Sequence, residues 1–282
     1  MLKEIHSFNQ HFVLRTKLPD IERRKLNLEY GLIGEKLGHS FSKIIHEKLA
    51  EYKYDLTPLT KEEFQSFMEK RDFKAINVTI PYKEKVISYL NEMDDNAKQI
   101  GAVNTIVNTN GKLVGHNTDF SGFLYMIQKN GIDILDKKIL VLGNGGASKA
   151  VVAVLKALKA KEIILVGRTL RDNTITYEEC YESHSDGQVI VNATPVGMFP
   201  NIDGSPIDLS KFTQCEAVLD LIYNPLKTKL LIQAEELGMK AVNGLEMLVA
   251  QAKYAVEYFL GNKIEDVKIK EITNEVYNEI LR

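Results

Sequence analysis

A run of glycines after a short apolar stretch has the clearest spacing for chemistry in this chain. The stretch Ile139–Leu142 has the composition of a buried parallel strand and ends at Gly143-Asn144-Gly145-Gly146-Ala147-Ser148. Apolar residues then recur at spacings of three and four up to Leu158, which predicts a helix, and a second apolar run at 163–166 predicts another strand. Together they form one βαβ unit with a glycine turn.

Glycines at this turn let a phosphate approach the backbone, because they carry no Cβ atom. The N–H groups at the start of the following helix then face the phosphate, and the helix dipole favours its negative charge. The pattern therefore predicts dinucleotide binding. The alternative is a tight turn that binds nothing, and the third position of the usual fingerprint is Ser148.

The end of the second strand indicates which dinucleotide would bind. An NAD-binding unit usually has Asp or Glu there, which accepts a hydrogen bond from the ribose 2′-OH. This chain has Gly167-Arg168-Thr169-Leu170-Arg171 instead. Without that carboxylate, and with guanidinium groups available for a 2′-phosphate, the sequence favours NADP over NAD. Otherwise Arg168 and Arg171 are simply solvated turn residues.

A second candidate site ends at Lys83. Apolar and polar residues alternate over 75–80, which predicts a strand with Asn77 and Thr79 on one face. We expect Lys83 to open the helix that follows. Polar residues on a strand face that leads to a lysine indicate a binding or catalytic site, although most lysines are merely exposed.

A carboxylate precedes the glycine unit. The segments 103–107 and 112–115 predict two strands joined by an Asn110-Gly111 turn. Asp119 then falls in the first turn of a predicted helix, 120–129. It is either an N-terminal cap worth about 1 kcal/mol or part of a ligand-binding cleft between two domains.

Two serines, Ser40 and Ser42, precede a predicted helix at 43–52. Hydroxyl groups there either cap backbone N–H groups or bind an anion, and the residues alone favour capping. His39 and His46 have no evident partner and are interpreted as structural.

Amino-acid composition argues against several classes of function. The 282 residues are 44% hydrophobic and 26% charged with a net charge of −2, so no basic surplus is available for nucleic acid. Two cysteines without metal-ligand spacing predict reduced thiols, no metal site and a cytoplasmic protein. No apolar run approaches the roughly 20 residues that span a bilayer, so we expect no membrane association.

The remaining strands complete a doubly wound sheet. Strands are predicted at 189–191 and 217–222, each followed by a polar loop on the cofactor side. Helices are predicted at 228–237, 245–260 and 269–281.

Eight short motifs, in this order, resemble the shikimate dehydrogenase family over residues 29–282. They are GHSFS (38–42), NVTIPYK (77–83), GAVNT (101–105), NTD (117–119), GNGGAS (143–148), NATP (192–195), DLIYNP (220–225) and GLEMLVAQA (244–252).

The resemblance implies two α/β domains separated by a cleft. An N-terminal extension at 1–28 would precede a substrate-binding domain of residues 29–118 plus 245–282, and 119–244 would form a Rossmann-type NADP-binding domain. The chain departs from the family pattern where Gly167 replaces an Asn. Arg171 is the nearest candidate for a displaced arginine of the 2′-phosphate loop.

The resemblance also implies the site residues. The catalytic pair would be Lys83 and Asp119, and Ser40 and Ser42 would hold the substrate carboxylate rather than cap a helix. The implied substrate contacts are Ser40, Ser42, Thr79, Asn104, Asp119, Tyr223 and Gln251. The implied cofactor contacts are Asp95, Gly143, Asn144, Gly145, Gly146, Ala147, Arg168, Thr169, Arg171, Thr194, Leu221 and Gly244.

The implied activity is reversible NADPH-dependent reduction of 3-dehydroshikimate to shikimate in aromatic amino-acid biosynthesis. Two alternatives remain. One is a quinate/shikimate dehydrogenase that prefers NAD, and the other is a non-catalytic sensor that binds shikimate or quinate. The expected partner is a small-molecule substrate, and a homodimer is left open.

Overall fold

The computed structural model describes residues 28–38, 40–168 and 173–282, in which two six-stranded sheets lie one after the other along the chain. Residues 1–27 of the predicted N-terminal extension lie outside the described residues. The strands of the first sheet are β1 (Tyr30–Gly34), β2 (Tyr54–Pro58), β3 (Ala75–Val78), β4 (Glu92–Met93), β5 (Thr105–Thr109) and β6 (Lys112–His116). Those of the second are β7 (Lys138–Leu142), β8 (Glu162–Gly167), β9 (Thr174–Thr176), β10 (Val189–Asn192), β11 (Ala217–Asp220) and β12 (Lys240–Val242).

The first sheet is mixed, with the strand order β2-β1-β3-β5-β6-β4. Strand β1 pairs in parallel with β2 and β3, whereas β3 and β5 are antiparallel. The predicted hairpin is confirmed, because β5 and β6 pair antiparallel. Its turn holds Asn110 at φ 53° and Gly111 at φ 87°, the left-handed conformations that an Asn-Gly turn provides.

The second sheet is entirely parallel, with the order β12-β11-β10-β7-β8-β9. The chain runs outward from β7 in both directions, which confirms the predicted doubly wound fold. Strand β9 was not predicted, since it spans only Thr174–Thr176 and follows a polar stretch.

The helices are α1 (Ser42–Leu49), α2 (Lys61–Lys70), α3 (Asp95–Ile100), α4 (Thr118–Lys129), α5 (Gly146–Ala157), α6 (Tyr177–Ser183), α7 (Lys229–Glu236), α8 (Leu245–Leu260) and α9 (Val267–Ile280). Short 3₁₀ helices occupy Lys85–Tyr89 and Leu209–Lys211. Within the described ranges, none of the helices has the length and apolar character needed to cross a membrane.

Two predicted boundaries near the candidate site are wrong. Strand β3 ends at Val78, and Lys83 lies in a turn before the 3₁₀ helix instead of opening a helix. The carbonyl of Lys83 accepts a hydrogen bond from the Val103 amide at 2.8 Å, so it is tied to a neighbouring segment rather than to a helical turn. This bond places the lysine beside the segment that leads into β5.

Helices α4 and α8 join the two halves of the molecule. A Cβ atom placed on Gly122 of α4 would lie 2.7 Å from the Met247 carbonyl oxygen of α8, so only glycine permits this approach. An ion pair of 2.8 Å between Lys149 of α5 and Glu84 adds a second contact between the halves. The first turn of α5 is thereby held next to Lys83.

His46 of α1 lies in the aromatic core beside β2. Its ring is fully buried and stacks on Tyr54 with 3.9 Å between centroids, and its Nδ1 atom lies 2.8 Å from the Tyr52 hydroxyl. Its interpretation as structural fits this position, whereas His39 lies outside the described residues. Burial lowers the pKa of His46 to about 3, because the charged ring would lose its hydration.

We therefore predict that the protein loses stability as the pH falls below 6.5. In the unfolded chain the pKa of this histidine has its ordinary value of 6.5, whereas in the folded chain it is about 3. This difference removes about 2 kcal/mol of unfolding free energy between pH 7 and pH 5. Urea unfolding at both values measures it, and the His46→Gln variant is the control, which should lose less on acidification. An equal loss in both proteins would contradict the assignment.

Candidate active site

Lys83 and Asp119 form a shielded ion pair. The Lys83 Nζ atom lies 2.5 Å from Asp119 Oδ2, and the side chains are only 13% and 9% exposed. The alternative that Lys83 is an ordinary exposed lysine is therefore excluded. The N-terminal cap of α4 is Asn117, whose side chain accepts the Phe120 amide, so the interpretation of Asp119 as that cap is wrong. The carboxylate is left to hold the ammonium group.

Asn104 occupies the other oxygen of the carboxylate. Its Nδ2 atom donates to Asp119 Oδ1 at 2.9 Å and to Thr118 Oγ1 at 3.0 Å. Its Oδ1 atom accepts the Thr118 backbone amide at 2.7 Å, which fixes the orientation of the amide group. The pair of Lys83 and Asp119 is therefore held from both sides, in a geometry that can exchange a proton with a bound hydroxyl group.

The glycine turn lies against this pair. A Cβ atom on Gly146 would be 3.7 Å from Cδ of Lys83, so the first turn of α5 and the lysine are neighbours. A ligand whose phosphates bind at this helix start can consequently place another part of itself beside Lys83.

Gly143 and Gly145 of this turn differ in whether the fold itself requires a glycine. Gly143 has φ +101°, and a Cβ atom there would lie 2.9 Å from Thr194 Cγ2, so the protein itself requires glycine. At Gly145 φ is −101°, and none of the residues that the structure describes lies within 4 Å of an added Cβ atom. That open backbone fits a phosphate group. Ser148, at the third fingerprint position, donates to the Gly145 carbonyl at 2.6 Å and braces the turn.

The loops after β10 and β11 are held together by side chains at the strand ends. Asn192 Oδ1 accepts the Thr194 amide at 3.0 Å and the Thr194 hydroxyl at 2.7 Å. Its Nδ2 atom donates to Asp220 at 3.0 Å. Gly244 packs so closely on the Leu221 backbone that a Cβ atom would lie 2.1 Å from the carbonyl oxygen. Three predicted cofactor residues thus lie along one edge of the sheet.

Asp220 is the anchor of this edge. It is fully buried, and burial raises its pKa to about 6 despite three hydrogen-bond donors. Besides Asn192, these are the Thr228 hydroxyl at 2.7 Å and the Ile222 amide at 3.0 Å. The carboxylate therefore fixes the path of the chain into the loop that carries Tyr223.

The predicted carboxylate-binding residues lie where α1 begins. Ser40 Oγ accepts the Ser42 backbone amide at 3.2 Å, which holds the two serines together. The N-cap position of α1 is Phe41, whose side chain makes no capping hydrogen bond. Phe41 between them packs edge-on against the Tyr223 ring, with 6.1 Å between centroids. Tyr223 of the second half therefore reaches the serine loop of the first.

The two other predicted substrate residues, Thr79 and Gln251, contact different elements. Thr79 follows β3, and its Cγ2 atom lies 2.5 Å from the position of a Cβ atom on Gly34. Gln251 of α8 lies against Gly122, one turn beyond Asp119 in α4, and its Nε2 atom donates to the Leu248 carbonyl at 2.9 Å.

Comparison with known proteins is consistent with this geometry. Residues 32–106 match the family model described as the shikimate dehydrogenase substrate binding domain. The chain is 41% identical over 254 residues to a shikimate dehydrogenase (NADP(+)) of Clostridium beijerinckii. This alignment covers 83% of this chain and 94% of the relative. The chain belongs to the shikimate dehydrogenase family.

Solved structures of shikimate dehydrogenases have the same fold. A chorismate mutase/shikimate 5-dehydrogenase fusion protein from Clostridium acetobutylicum has a TM-score of 0.84 and 38% identity, covering 90% of this chain and 99% of that one. The shikimate 5-dehydrogenase of Thermus thermophilus in complex with NADP(H) and shikimate has a TM-score of 0.78 and 29% identity, with coverages of 88% and 99%.

The other cofactor residues implied by the shikimate dehydrogenase pattern lie in α3, after β8 and around the start of α5. Asp95 is exposed in the first turn of α3 and pairs with Lys98 at 3.5 Å. Arg168 is exposed directly after β8. Asn144 lines a cavity of about 250 Å³ between α3 and α5, and Ala147 is half-buried in α5. Thr169 and Arg171 lie outside the described residues.

Sequence reasoning missed Thr118, Asn192 and Asp220 as individual site residues. All three belong to motifs that were recognised, but their hydrogen bonds join residues far apart in the chain. A usable signal exists for two of them. Asn192 and Asp220 are polar residues at the carboxyl ends of buried parallel strands, where ligand-binding loops of such sheets begin.

We predict that Gly145→Ala weakens NADP binding without unfolding the protein. The added methyl group meets open space in the fold but occupies the position where a phosphate would approach the backbone, so we expect KM for NADP to rise by about tenfold or more. Steady-state kinetics and thermal unfolding measure both effects.

Gly143→Ala is the matched variant at the same turn. It should lower the midpoint of thermal unfolding, because its φ of +101° and the contact with Thr194 disfavour any side chain. Unchanged NADP kinetics in the Gly145 variant would argue against a phosphate at this turn.

Proposed function

We propose that this protein is a shikimate dehydrogenase that uses NADP and reversibly reduces 3-dehydroshikimate to shikimate in aromatic amino-acid biosynthesis. The observation that carries the proposal is the shielded ion pair of Lys83 and Asp119 beside the start of α5. Family membership supports the activity, and the NADP(+) specificity named for the Clostridium beijerinckii relative supports the cofactor.

The chain would divide into two domains around this pair. Residues 29–118 plus 245–282 would bind the substrate, and 119–244 would bind the dinucleotide. The separation of the two sheets supports this division, as does the contact of α4 with α8 that brings the last part of the chain back to the first sheet.

Residues of the glycine turn would hold the cofactor. The open backbone at Gly145 fits a phosphate, and Thr194, Leu221 and Gly244 line the same sheet edge. Arg168, exposed at the end of β8, would contact the 2′-phosphate. Bound NADP(H) supplies the hydride that is exchanged with the ring carbon.

Lys83 and Asp119 would carry out the proton transfer. Lys83 would donate a proton from Nζ to the substrate oxygen when the carbonyl is reduced, and would receive it in the reverse direction. Asp119 would hold the ammonium group and orient the same hydroxyl. Because Asn104 occupies Asp119 Oδ1, the carboxylate keeps one defined orientation.

The substrate carboxylate would lie between the two serines and Tyr223. Ser40 and Ser42 are neighbours, and Phe41 brings Tyr223 to the same loop. Thr79, directly after β3, and Gln251 of α8 would contact the carboxylate or the ring hydroxyls. Hydroxyl and amide groups at fixed positions distinguish a polyhydroxylated ring from other alcohols.

The location and assembly of the protein are also predictions. We propose a cytoplasmic protein, because Cys180 and Cys215 are free buried thiols whose pKa values are raised by burial to about 11 and 12. The sequence leaves a homodimer open, and sedimentation would test it.

We expect shikimate and NADP to give the fastest increase in absorbance of reduced nicotinamide. Quinate and NAD, tested in all combinations, are the comparisons. A preference for NAD or for quinate would favour the quinate/shikimate alternative. Binding of shikimate without cofactor reduction would favour the sensor.

We predict that Lys83→Ala lowers turnover by about 10²–10⁴-fold while NADP affinity stays nearly unchanged, since the proton donor is lost but the cofactor site is not. Asp119→Asn should also lower turnover. Lys85→Ala is the matched control, because this exposed lysine lies two residues further along and packs over the Tyr82 ring. Wild-type turnover in the Lys83 variant would refute its role.

A further inference from the structure

A line of buried hydrogen bonds runs across the first sheet to Asp119. The hydroxyl of Tyr54 in β2 donates to Asn77 Oδ1 in β3 at 2.7 Å. Asn77 Nδ2 donates to the Thr105 hydroxyl in β5 at 3.1 Å, and that hydroxyl lies 3.0 Å from Asn104 Oδ1. Asn104 then donates to Asp119.

The direction of the donors is fixed by backbone groups. Asn77 Nδ2 also donates to the Asn104 carbonyl at 3.1 Å, and a carbonyl can only accept. Asn77 Oδ1 therefore faces Tyr54 as an acceptor. At the other end the Thr118 amide, which can only donate, bonds Asn104 Oδ1. The Thr105 hydroxyl accepts from Asn77, and its one proton bonds either Asn104 Oδ1 at 3.0 Å or Thr118 Oγ1 at 3.2 Å. The bonds with a fixed direction, from Tyr54 to Asn77, from Asn77 to Thr105 and from Asn104 to Asp119, all donate toward the carboxylate.

We propose that Tyr54 and Thr105 are positioning residues, which act through Asn104 to hold Asp119 in the geometry that proton exchange with Lys83 requires. The inference rests on the proposed roles of Lys83 and Asp119. Neither positioning residue needs to contact substrate or cofactor. Both are fully buried.

Aligned donors explain why such a chain matters. Hydrogen bonds in a line polarise one another, and in a buried site each is stronger than in water. The donor that reaches Asp119 Oδ1 is therefore both stronger and more rigid than an isolated amide. A shift of a fraction of an ångström at the carboxylate would also move Nζ of Lys83, which lies 2.5 Å from Oδ2.

Tyr54, the residue of this hydrogen-bonded line that lies furthest from Asp119, is itself anchored to α1. The Tyr54 ring stacks on His46, and its backbone amide donates to Glu47 at 3.0 Å. Its backbone carbonyl accepts Lys43 Nζ at 2.8 Å. Helix α1 begins at Ser42, which is a proposed contact of the substrate carboxylate. The same helix therefore also anchors the line of hydrogen-bond donors that leads to Asp119.

Thr105→Val and Thr105→Ser form the decisive pair of variants. Valine keeps the shape but removes the hydroxyl, whereas serine keeps the hydroxyl. We expect valine to lower kcat by about tenfold with KM for NADP within about twofold, and serine to stay near wild type. The isotope effect on kcat with shikimate deuterated at the reacting carbon should rise in the valine variant, because the chemical step becomes slower.

Tyr54→Phe and Tyr52→Phe are a second matched pair. Both tyrosines lie in one aromatic cluster, but the Tyr52 hydroxyl bonds His46 and is outside the line of donors. We expect Tyr54→Phe to lower kcat by about threefold to fivefold, because only the donor furthest from Asp119 is lost, and Tyr52→Phe to retain wild-type kcat. Thermal unfolding and NADP binding show whether each variant is folded.

The inference is overturned if folded Thr105→Val keeps wild-type kcat, or if Thr105→Ser loses as much as the valine variant. Equal losses in the two tyrosine variants would also overturn it. Failure of the proposed function is a separate result. Full turnover in both Lys83→Ala and Asp119→Asn would reject the proposed function. Lowered turnover in those two variants, together with wild-type turnover in Thr105→Val, would reject only the positioning role.

Discussion

The ion pair between Lys83 and Asp119 is the contact on which the rest of the site depends. Removing two charges from water is costly unless each is paired and further hydrogen-bonded, and this pair is almost fully shielded. Asn104 supplies the further bond, and the turn at Lys83 is fixed through its carbonyl to Val103. The segment that leads into β5 thus holds one ammonium group and one carboxylate at a defined separation.

The second sheet brings loops to this pair from the carboxyl ends of its strands. Parallel strands place all of these loops at one edge, which is why Gly143 and Thr194 touch although they are remote in sequence. Asp220 and Asn192 tie the loops after β10 and β11 to each other below that edge. The raised pKa of Asp220 shows that burying this carboxylate opposes its ionisation, and the three donors offset part of that penalty.

Local signals made the glycine turn, the Asn110-Gly111 hairpin and the doubly wound sheet predictable, because each depends on residues adjacent in the chain. The partners of buried polar groups were not predictable. Tyr54 of β2 and Asn77 of β3 meet although β1 lies between their strands, because the tyrosine side chain spans β1, and periodicity does not reveal this strand order. The turn at Lys83 was missed for the same reason, since its carbonyl is bound by a residue from another segment.

The ion pair of Lys149 and Glu84 has the opposite character to that of Lys83 and Asp119. Its side chains are 36% and 56% exposed, so mobile ions in solution can screen it, whereas they reach the buried pair poorly. Ionic strength therefore acts differently on the two contacts. Added salt weakens an attachment between the halves of the molecule and leaves the ion pair of Lys83 and Asp119 nearly unaffected.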